Sequence, residues 1–210
     1  MTKYILWDND GVLVETEYWY FKASQRALAE LDIEMSESQY MIFMTQGRSC
    51  FELASEAGID EVTLDKKRIE RNAYYQAFIR SQDIEIPGVV DVLRALSQTC
   101  KMAVVTSCRR DDFNLIHQDG NILAFMDLVL VREDYTHSKP HPEPYLLALE
   151  KLGANAADTI VVEDSQRGLR SAIAAGIDCA VVYNKFTESH DFSGATHRLS
   201  SLEALAGLLD

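Results

Sequence analysis

Near the N-terminus, the segment Tyr4-Ile5-Leu6-Trp7-Asp8-Asn9-Asp10-Gly11 places a short apolar run directly before two carboxylates and a glycine. A short apolar run that ends in a polar turn is typical of a strand buried in a parallel sheet. Four similar runs follow: Met102–Val105, Leu128–Val131, Thr159–Val162 and Cys179–Val182. Helical patterns separate or follow them: Val89–Gln98, Asp111–Gln118, Glu143–Leu152, Gly168–Ala175 and Leu202–Leu209. This alternation predicts an α/β fold with a doubly wound parallel sheet.

The segment between the first strand and Ile84 interrupts the alternation. It contains no strand pattern, and its helical periodicity is too long for an ordinary crossover. The predicted helices are Tyr18–Leu31, a weaker one within Ser36–Thr45, Arg48–Ala57 and Leu64–Ser81. Pro87-Gly88 marks the return to the sheet. We therefore expect residues 1–14 and 85–210 to form a Rossmann-like α/β core, with residues 15–84 as an inserted, all-helical domain.

Composition excludes several classes of protein. The 210 residues are 47% hydrophobic and 25% charged, as in globular domains, and the net charge is −13. A surface of that charge repels nucleic-acid backbones and anionic lipid, so we expect neither a nucleic-acid polymer nor a membrane as partner. The four cysteines are widely spaced, which argues against a zinc knuckle or a redox pair. No signal-peptide pattern is evident, and no apolar stretch reaches roughly 18 residues, so a cytoplasmic location is expected.

Polar residues follow the predicted strands, where ligands bind in open parallel sheets. Asp8 and Asp10 follow the first strand and Thr106-Ser107 the second; Lys139 comes a few residues after the third, and Glu163-Asp164-Ser165 closes the fourth. Four carboxylates share a small space only if a cation is present or some are protonated. Carboxylate oxygens are the ligands that Mg²⁺ prefers. With a lysine and a threonine hydroxyl beside the ion, such a site suits a phosphoryl group.

Each of these features has a structural explanation when taken alone. An Asp-x-Asp-Gly sequence is common in turns and calcium loops, although the later ligands of an EF-hand are missing here. Thr106-Ser107 and Glu163-Asp164-Ser165 could cap helices. Lys139 could be an ordinary surface lysine. Their joint occurrence, in order and each after a predicted strand, favours a catalytic site.

The motifs resemble those of the haloacid dehalogenase superfamily, in its subgroup with a small α-helical cap that includes phosphoglycolate phosphatases and β-phosphoglucomutase. The resemblance rests on four segments and covers essentially the whole chain. They are Tyr4–Leu13, Val104-Val105-Thr106-Ser107, Lys139-Pro140-His141-Pro142, and Val161–Ser165 with Gly168 and Gly176 behind it. It implies a Mg²⁺-dependent phosphatase that hydrolyses a small phosphorylated metabolite through an aspartyl-phosphate.

The resemblance also implies a role for each motif residue. Asp8 would be the nucleophile, and Asp10 the acid and then the base, with a backbone carbonyl on Mg²⁺. Thr106 and Lys139 would hold phosphoryl oxygens, and Lys139 would offset the charge of Asp8. The Mg²⁺ ligands would be Asp8, Asp10, Glu163 and Asp164. Substrate contacts would come from Gly11 and Ser107 in the core, and from Glu15 and Arg48 at the cap.

Other functions of the same fold remain open at this stage. A sugar-phosphate mutase of the β-phosphoglucomutase type is the main alternative. Mutases of the family carry a histidine where Tyr20 stands and a cap arginine where Cys50 stands, so both residues count against it. Dehalogenating relatives lack the second aspartate, so Asp10 favours phosphate chemistry. A non-catalytic binding module would be expected to lack one of the motif residues. The sequence does not identify the substrate or the oligomeric state.

Overall fold

The computed structural model describes residues 2–209, and the predicted sheet is confirmed there. Six strands form one parallel sheet: β1 (Tyr4–Trp7), β2 (Lys101–Val105), β3 (Leu128–Leu130), β4 (Thr159–Glu163), β5 (Asp178–Val182) and β6 (His197–Leu199). The strand order is β3-β2-β1-β4-β5-β6. The first five strands match the predicted runs to within one residue at either end.

Helices occupy most of the remaining chain. In chain order they are α1 (Glu17–Ala29), α2 (Glu37–Gln46), α3 (Glu52–Glu56), α4 (Glu61–Ser81), α5 (Val89–Leu96), α6 (Arg110–Ile116), α7 (Glu143–Leu152), α8 (Gln166–Ala174) and α9 (Glu203–Leu209). Short 3₁₀ turns lie at Ile122–Phe125, Arg132–Asp134 and Ala156–Asp158. Within residues 2–209, none of the helices combines the length and apolar content that crossing a membrane requires.

The strand order reverses at β1, which lies between β2 and β4. Leu6 pairs with Ala103 on one side and with Val161 on the other. The three side chains are fully buried, and one hydrophobic core cluster includes them together with Tyr145 of α7 and Leu169 of α8. Ligands of doubly wound sheets bind beyond the carboxyl ends of the strands at such a reversal. The residues that follow β1, β2 and β4 are therefore the ones to examine.

The chain divides into two compact units, of which Thr16–Ile84 is one. This helical unit contains α1 to α4. Aromatic pairs join α1 to α4, with ring centroids 5.6 Å apart for Trp19 and Phe78 and 5.3 Å apart for Tyr20 and Tyr75. Such edge and tilted ring pairs add to the stabilisation from apolar burial.

One local prediction was wrong, and one strand was not predicted. The helix expected over Arg48–Ala57 is only the short α3, because Gly47 ends α2 in a left-handed conformation and the N–H of Arg48 bonds back to the carbonyl of Phe43. The other miss is β6. Its sequence, His-Arg-Leu, lacks an apolar run because it is a three-residue edge strand with one face partly exposed.

Candidate active site

The turn after β1 carries two of the predicted site residues. The N–H of Asp8 still donates to the Val162 carbonyl of β4 at 2.9 Å, so the strand pairing extends one residue beyond β1. The carbonyl of Asn9 then accepts the N–H groups of Val12, Leu13 and Val14, which closes a tight turn. Asp8 and Asp10 therefore stand on a backbone held by the sheet on one side and by its own turn on the other.

Lys139 connects the residue that follows β1 to the last residue of β4. Its Nζ donates to Asp8 Oδ1 at 2.9 Å and to Glu163 Oε1 at 2.7 Å. The side chains of Lys139 and Glu163 are 2% and 0% exposed, whereas Asp8 is 13% exposed. Of these three residues, Asp8 is thus the one that solvent, and so a substrate, can reach.

Glu163 is surrounded by hydrogen-bond donors. Besides Lys139, its Oε1 accepts the hydroxyl of Tyr145 at 2.8 Å. Its Oε2 accepts the N–H of Asp164, and both the N–H and the hydroxyl of Ser165, at 3.0–3.3 Å. Five donors around one buried carboxylate compensate its desolvation and fix its orientation. This geometry makes Glu163 an anchor for Lys139.

The pKa values of Asp8, Glu163 and Lys139 depend on one another. Burial raises the pKa of Asp8 to about 7, the nearby charge of Glu163 adds to the rise, and Lys139 opposes it. Burial alone would raise the pKa of Glu163, but Lys139 holds it below its ordinary value. Burial alone would lower the pKa of Lys139, but Asp8 and Glu163 raise it above its ordinary value. One ammonium therefore faces two buried carboxylates, and an added cation would favour the ionised form of Asp8.

Asp10 interacts with the end of β2. The hydroxyl of Thr106 donates to Asp10 Oδ2 at 3.3 Å and accepts the N–H of Cys108 at 2.9 Å. Thr106 is fully buried, and its carbonyl accepts the buried hydroxyl of Tyr135 at 2.8 Å. The side chain of Thr106 is therefore oriented by its neighbours, and it orients Asp10 in turn.

Two glycines allow carboxylates to approach the backbone closely. Gly11 has φ +80°, and a Cβ there would stand 2.1 Å from Asp164 Oδ2. A Cβ on Gly168 would stand 1.7 Å from Glu163 Oε1. Any larger residue would displace these carboxylates, so glycine is needed at both positions for their packing.

Three carboxylates at the strand ends form a group that could hold a metal. Asp8, Glu163 and Asp164 each offer one oxygen, and these oxygens lie within 4.8 Å of one another. Asp164 Oδ2 also accepts the side-chain amide of Asn184 at 2.7 Å. An all-oxygen donor set with an excess of negative charge has the chemistry that Mg²⁺ prefers. The residues present therefore fit the ion that the motifs predict.

The structure does not bring every predicted site residue into this cluster. Gly11 and Ser107 follow Asp10 and Thr106 directly, and Glu15 is half-buried at the end of the turn segment. Arg48 belongs to the helical unit, where its Nε donates to Glu52 at 2.7 Å and a second nitrogen also contacts that carboxylate. The guanidinium of Arg48 is thus already paired within its own unit.

Sequence reasoning missed three residues that support the cluster: Tyr145, Asn184 and Tyr135. Asn184 comes two residues after β5, so the same rule of strand ends, applied to the fifth strand, would have found it. Tyr145 lies inside the apolar pattern of α7 and is indistinguishable from a core residue in the sequence. Tyr135 lies in a loop after a 3₁₀ turn, and no local pattern marks it.

Comparisons with known proteins identify the family and the fold. A family model described as "Haloacid dehalogenase-like hydrolase" matches residues 5–182. The CbbY protein of Rhodobacter capsulatus is 27% identical over 97% of this chain and 95% of its own. A phosphorylated carbohydrates phosphatase of Thermotoga maritima is 28% identical over 83% and 82%. The crystal structure of CbbY from Rhodobacter sphaeroides with xylulose-(1,5)bisphosphate has a TM-score of 0.82 at 23% identity, covering 96% and 95%; it shows the same fold.

Proposed function

The chain belongs to the haloacid dehalogenase-like hydrolase family and is a phosphoric monoester hydrolase, and on that premise we propose that it is a Mg²⁺-dependent phosphatase that acts through an aspartyl-phosphate. The observation that carries the proposal is the position of Lys139 between Asp8 and Glu163. A carboxylate attacks an anionic phosphate only when positive charge offsets their repulsion. Lys139 supplies such a charge beside Asp8, the more accessible carboxylate of the pair.

In the proposed first step, a carboxylate oxygen of Asp8 bonds to phosphorus as the bond to the leaving oxygen breaks. Asp10 gives its proton to that leaving oxygen. In the second step, Asp10 removes a proton from water, the water oxygen bonds to phosphorus, and the bond from phosphorus to Asp8 breaks. The hydroxyl of Thr106 and the ammonium of Lys139 hold phosphoryl oxygens throughout.

The proposed metal ligands are the carboxylates of Asp8 and Asp164 and the backbone carbonyl of Asp10. Glu163 adds its charge to the site but acts mainly by holding Lys139, since its two oxygens already accept five donors. When bound, Mg²⁺ supplies positive charge that attracts the negatively charged phosphoryl group and stabilises the ionised form of Asp8.

The proposed substrate is a small phosphorylated metabolite, and a phosphorylated carbohydrate is favoured. The printed name of the Thermotoga maritima relative and the ligand of the CbbY structure both support this class. We also propose that the helical unit, residues 15–84 in the predicted division, selects the organic part of the substrate. Arg48→Ala should then change the order of preference among phosphorylated carbohydrates while leaving hydrolysis of a simple aryl phosphate intact.

Hydrolysis, and not transfer to a second hydroxyl, is the proposed outcome. Tyr20 packs its ring against Arg71 and Tyr75, and Cys50 is buried, so neither offers the charged group that mutases have there. The test offers β-glucose 1-phosphate, with and without a bisphosphate primer, and follows free phosphate and glucose 6-phosphate. Free phosphate should dominate. Isomerised product in large excess over phosphate would replace the phosphatase proposal with a mutase.

The central experiment measures phosphate release from an aryl phosphate with Mg²⁺. Asp8→Asn keeps the shape of the nucleophile and removes its charge, so turnover should fall by at least about a thousandfold. Asp111→Asn, at an exposed position of α6, is the matched control and should retain full activity. Turnover that persists in Asp8→Asn, or in wild type with excess chelator, would contradict the mechanism.

A further inference from the structure

Two histidines and a glutamate meet on the segment that carries Lys139, and the proposed reaction uses none of them. His137 and His141 flank Lys139 at two residues on either side, and Glu143 opens α7. Each offers one ligand atom, and these atoms lie within 4.8 Å of one another. We propose that His137, His141 and Glu143 form a second metal site, which takes a divalent transition ion of the Zn²⁺ type.

The separations suit an ion that bridges the three side chains. His137 Nδ1 lies 2.6 Å from Glu143 Oε2, and His141 Nδ1 lies 3.9 Å from the same oxygen. Two ligand atoms around a tetrahedral Zn²⁺ stand roughly 3.3 Å apart at ordinary bond lengths. The observed distances lie on either side of that value. Because both imidazoles are exposed, shifts of less than about 1 Å would admit the ion.

Glu143 is ionised, and hydrogen bonds already orient its partners around it. Hydrogen bonds, first from the Thr136 N–H and then from the His137 ring, lower the pKa of Glu143 to about 2, so its carboxylate is ionised. His141 Nδ1 accepts the Glu143 backbone N–H at 3.2 Å, so its lone pair faces the start of α7, and an ion bound there would replace this hydrogen bond. His137 Nδ1 faces the Glu143 carboxylate at 2.6 Å, and an ion bound there would displace the proton between them.

The backbone of the segment is held in place before any ion binds. The Thr136 N–H donates to Glu143 Oε1 at 2.6 Å, and the His141 N–H donates to the Ser138 carbonyl at 3.0 Å. The hydroxyl of Ser171 in α8 donates to the His141 carbonyl at 2.7 Å. The two imidazole rings lie 4.6 Å apart. A prearranged set of ligands loses less conformational entropy on binding.

The surroundings favour a cation. His141 and Glu143 also line a cavity of about 550 Å³ whose other acidic lining residues are Glu133, Asp134 and Glu150. Of the residues lining it in the described part of the chain, none is lysine or arginine, and the one ion pair formed by these acidic residues joins Asp134 to Arg110. A concave surface of one sign raises the local concentration of the opposite ion.

The ligand types separate this site from the carboxylate cluster. Two imidazole nitrogens and one carboxylate oxygen suit Zn²⁺, whereas Mg²⁺ prefers oxygen ligands only. Asp8, Glu163 and Asp164 offer only oxygens. An ion held by His137 and His141 would also link the chain on both sides of Lys139, so its binding should stabilise the folded protein.

The test uses untagged protein that has been stripped of metal and then saturated with Mg²⁺. Zn²⁺ is titrated into it by calorimetry, and its Tm is measured with and without Zn²⁺. Wild type should bind one equivalent, and its Tm should rise. His137→Ala and His141→Ala should each weaken binding at least about tenfold and abolish the rise in Tm. His197→Ala, on β6, is the matched control and should bind as wild type does. His137→Gln, which removes the imidazole but keeps a polar side chain, provides a second variant if alanine disturbs folding.

Three results would overturn the proposal: wild type that binds no Zn²⁺, variants that bind it as tightly as wild type, or binding that survives in His137→Ala and is lost in Asp164→Asn. The last result would assign the ion to the carboxylate cluster. Because the readouts are binding and Tm, the outcome does not depend on the mechanism proposed for Asp8.

Discussion

Replacing Glu163 by glutamine separates two roles that its position allows, anchoring Lys139 and ligating the metal. Glutamine keeps the shape of the side chain but has a single acceptor oxygen, and its NH₂ group must face one of the two sets of donors. If it faces Lys139, the 2.7 Å bond to the ammonium is lost; if it faces the other side, the N–H groups of Asp164 and Ser165 lose their acceptor. Either orientation leaves buried donors unsatisfied.

The expected cost follows from these contacts. A hydrogen bond to a charged group contributes about 1.5–3 kcal/mol, and breaking a buried ion pair costs about 3–5 kcal/mol. Because Lys139 and Glu163 are almost completely buried, solvent does not compensate the loss. Lys139 still has Asp8 as a partner, 2.9 Å away in the wild type, so we expect Glu163→Gln to lower the free energy of unfolding by about 1.5–3 kcal/mol, the value of one hydrogen bond to a charged group, and kcat by about a hundredfold.

The assay combines urea unfolding, with and without Mg²⁺, and the Mg²⁺ concentration that gives half-maximal activity. If Glu163 mainly holds Lys139, this concentration should change by less than about threefold in Glu163→Gln and rise at least about tenfold in Asp164→Asn. Glu188→Gln, at an exposed glutamate, is the control for both measurements. Wild-type stability in Glu163→Gln, with a Mg²⁺ requirement shifted as far as in Asp164→Asn, would refute the reasoning.

Three further predictions concern single side chains. The pKa of Asp8 is raised from 3.8 to about 7, so its ionisation destabilises the metal-free fold increasingly as the pH rises from about 4 to 7. Asp8→Asn should therefore raise the free energy of unfolding by about 2 kcal/mol more at pH 8 than at pH 5, and equal urea midpoint shifts would contradict this. Asp10→Ala should slow single-turnover phosphorylation by an alkyl phosphate about tenfold more than by an aryl phosphate, because a good leaving group needs little protonation; equal losses would argue against the acid role. Tyr145→Phe removes one donor to Glu163 and should lower kcat about three- to tenfold with KM unchanged, a split that steady-state kinetics would test.

The sequence by itself was enough for the first five strands of the sheet and for the order of the motifs. Strands buried on both faces need continuous apolar runs, so β1, β2, β4 and β5 were visible without any long-range information. The rule that parallel strands end at one edge then predicted that Asp8, Thr106 and Glu163 would lie at the same edge. The helical insertion was equally visible, because helical periodicity is a local property.

What only the tertiary structure decided was how the side chains pair. The resemblance to the family implied that Glu163 is a metal ligand, but its contacts with Lys139 and Tyr145, 24 and 18 residues away in the sequence, form only on folding. In the sequence, Tyr145 is indistinguishable from a core residue of α7. No local pattern indicates that its buried hydroxyl contacts a charged residue far away in the sequence. The same holds for the histidines beside Lys139: their ligand atoms converge only because Glu143, at the start of a helix, turns its carboxylate back to the N–H groups of Thr136 and His137. Local patterns determine which backbone elements form, whereas contacts between distant residues determine which charges meet.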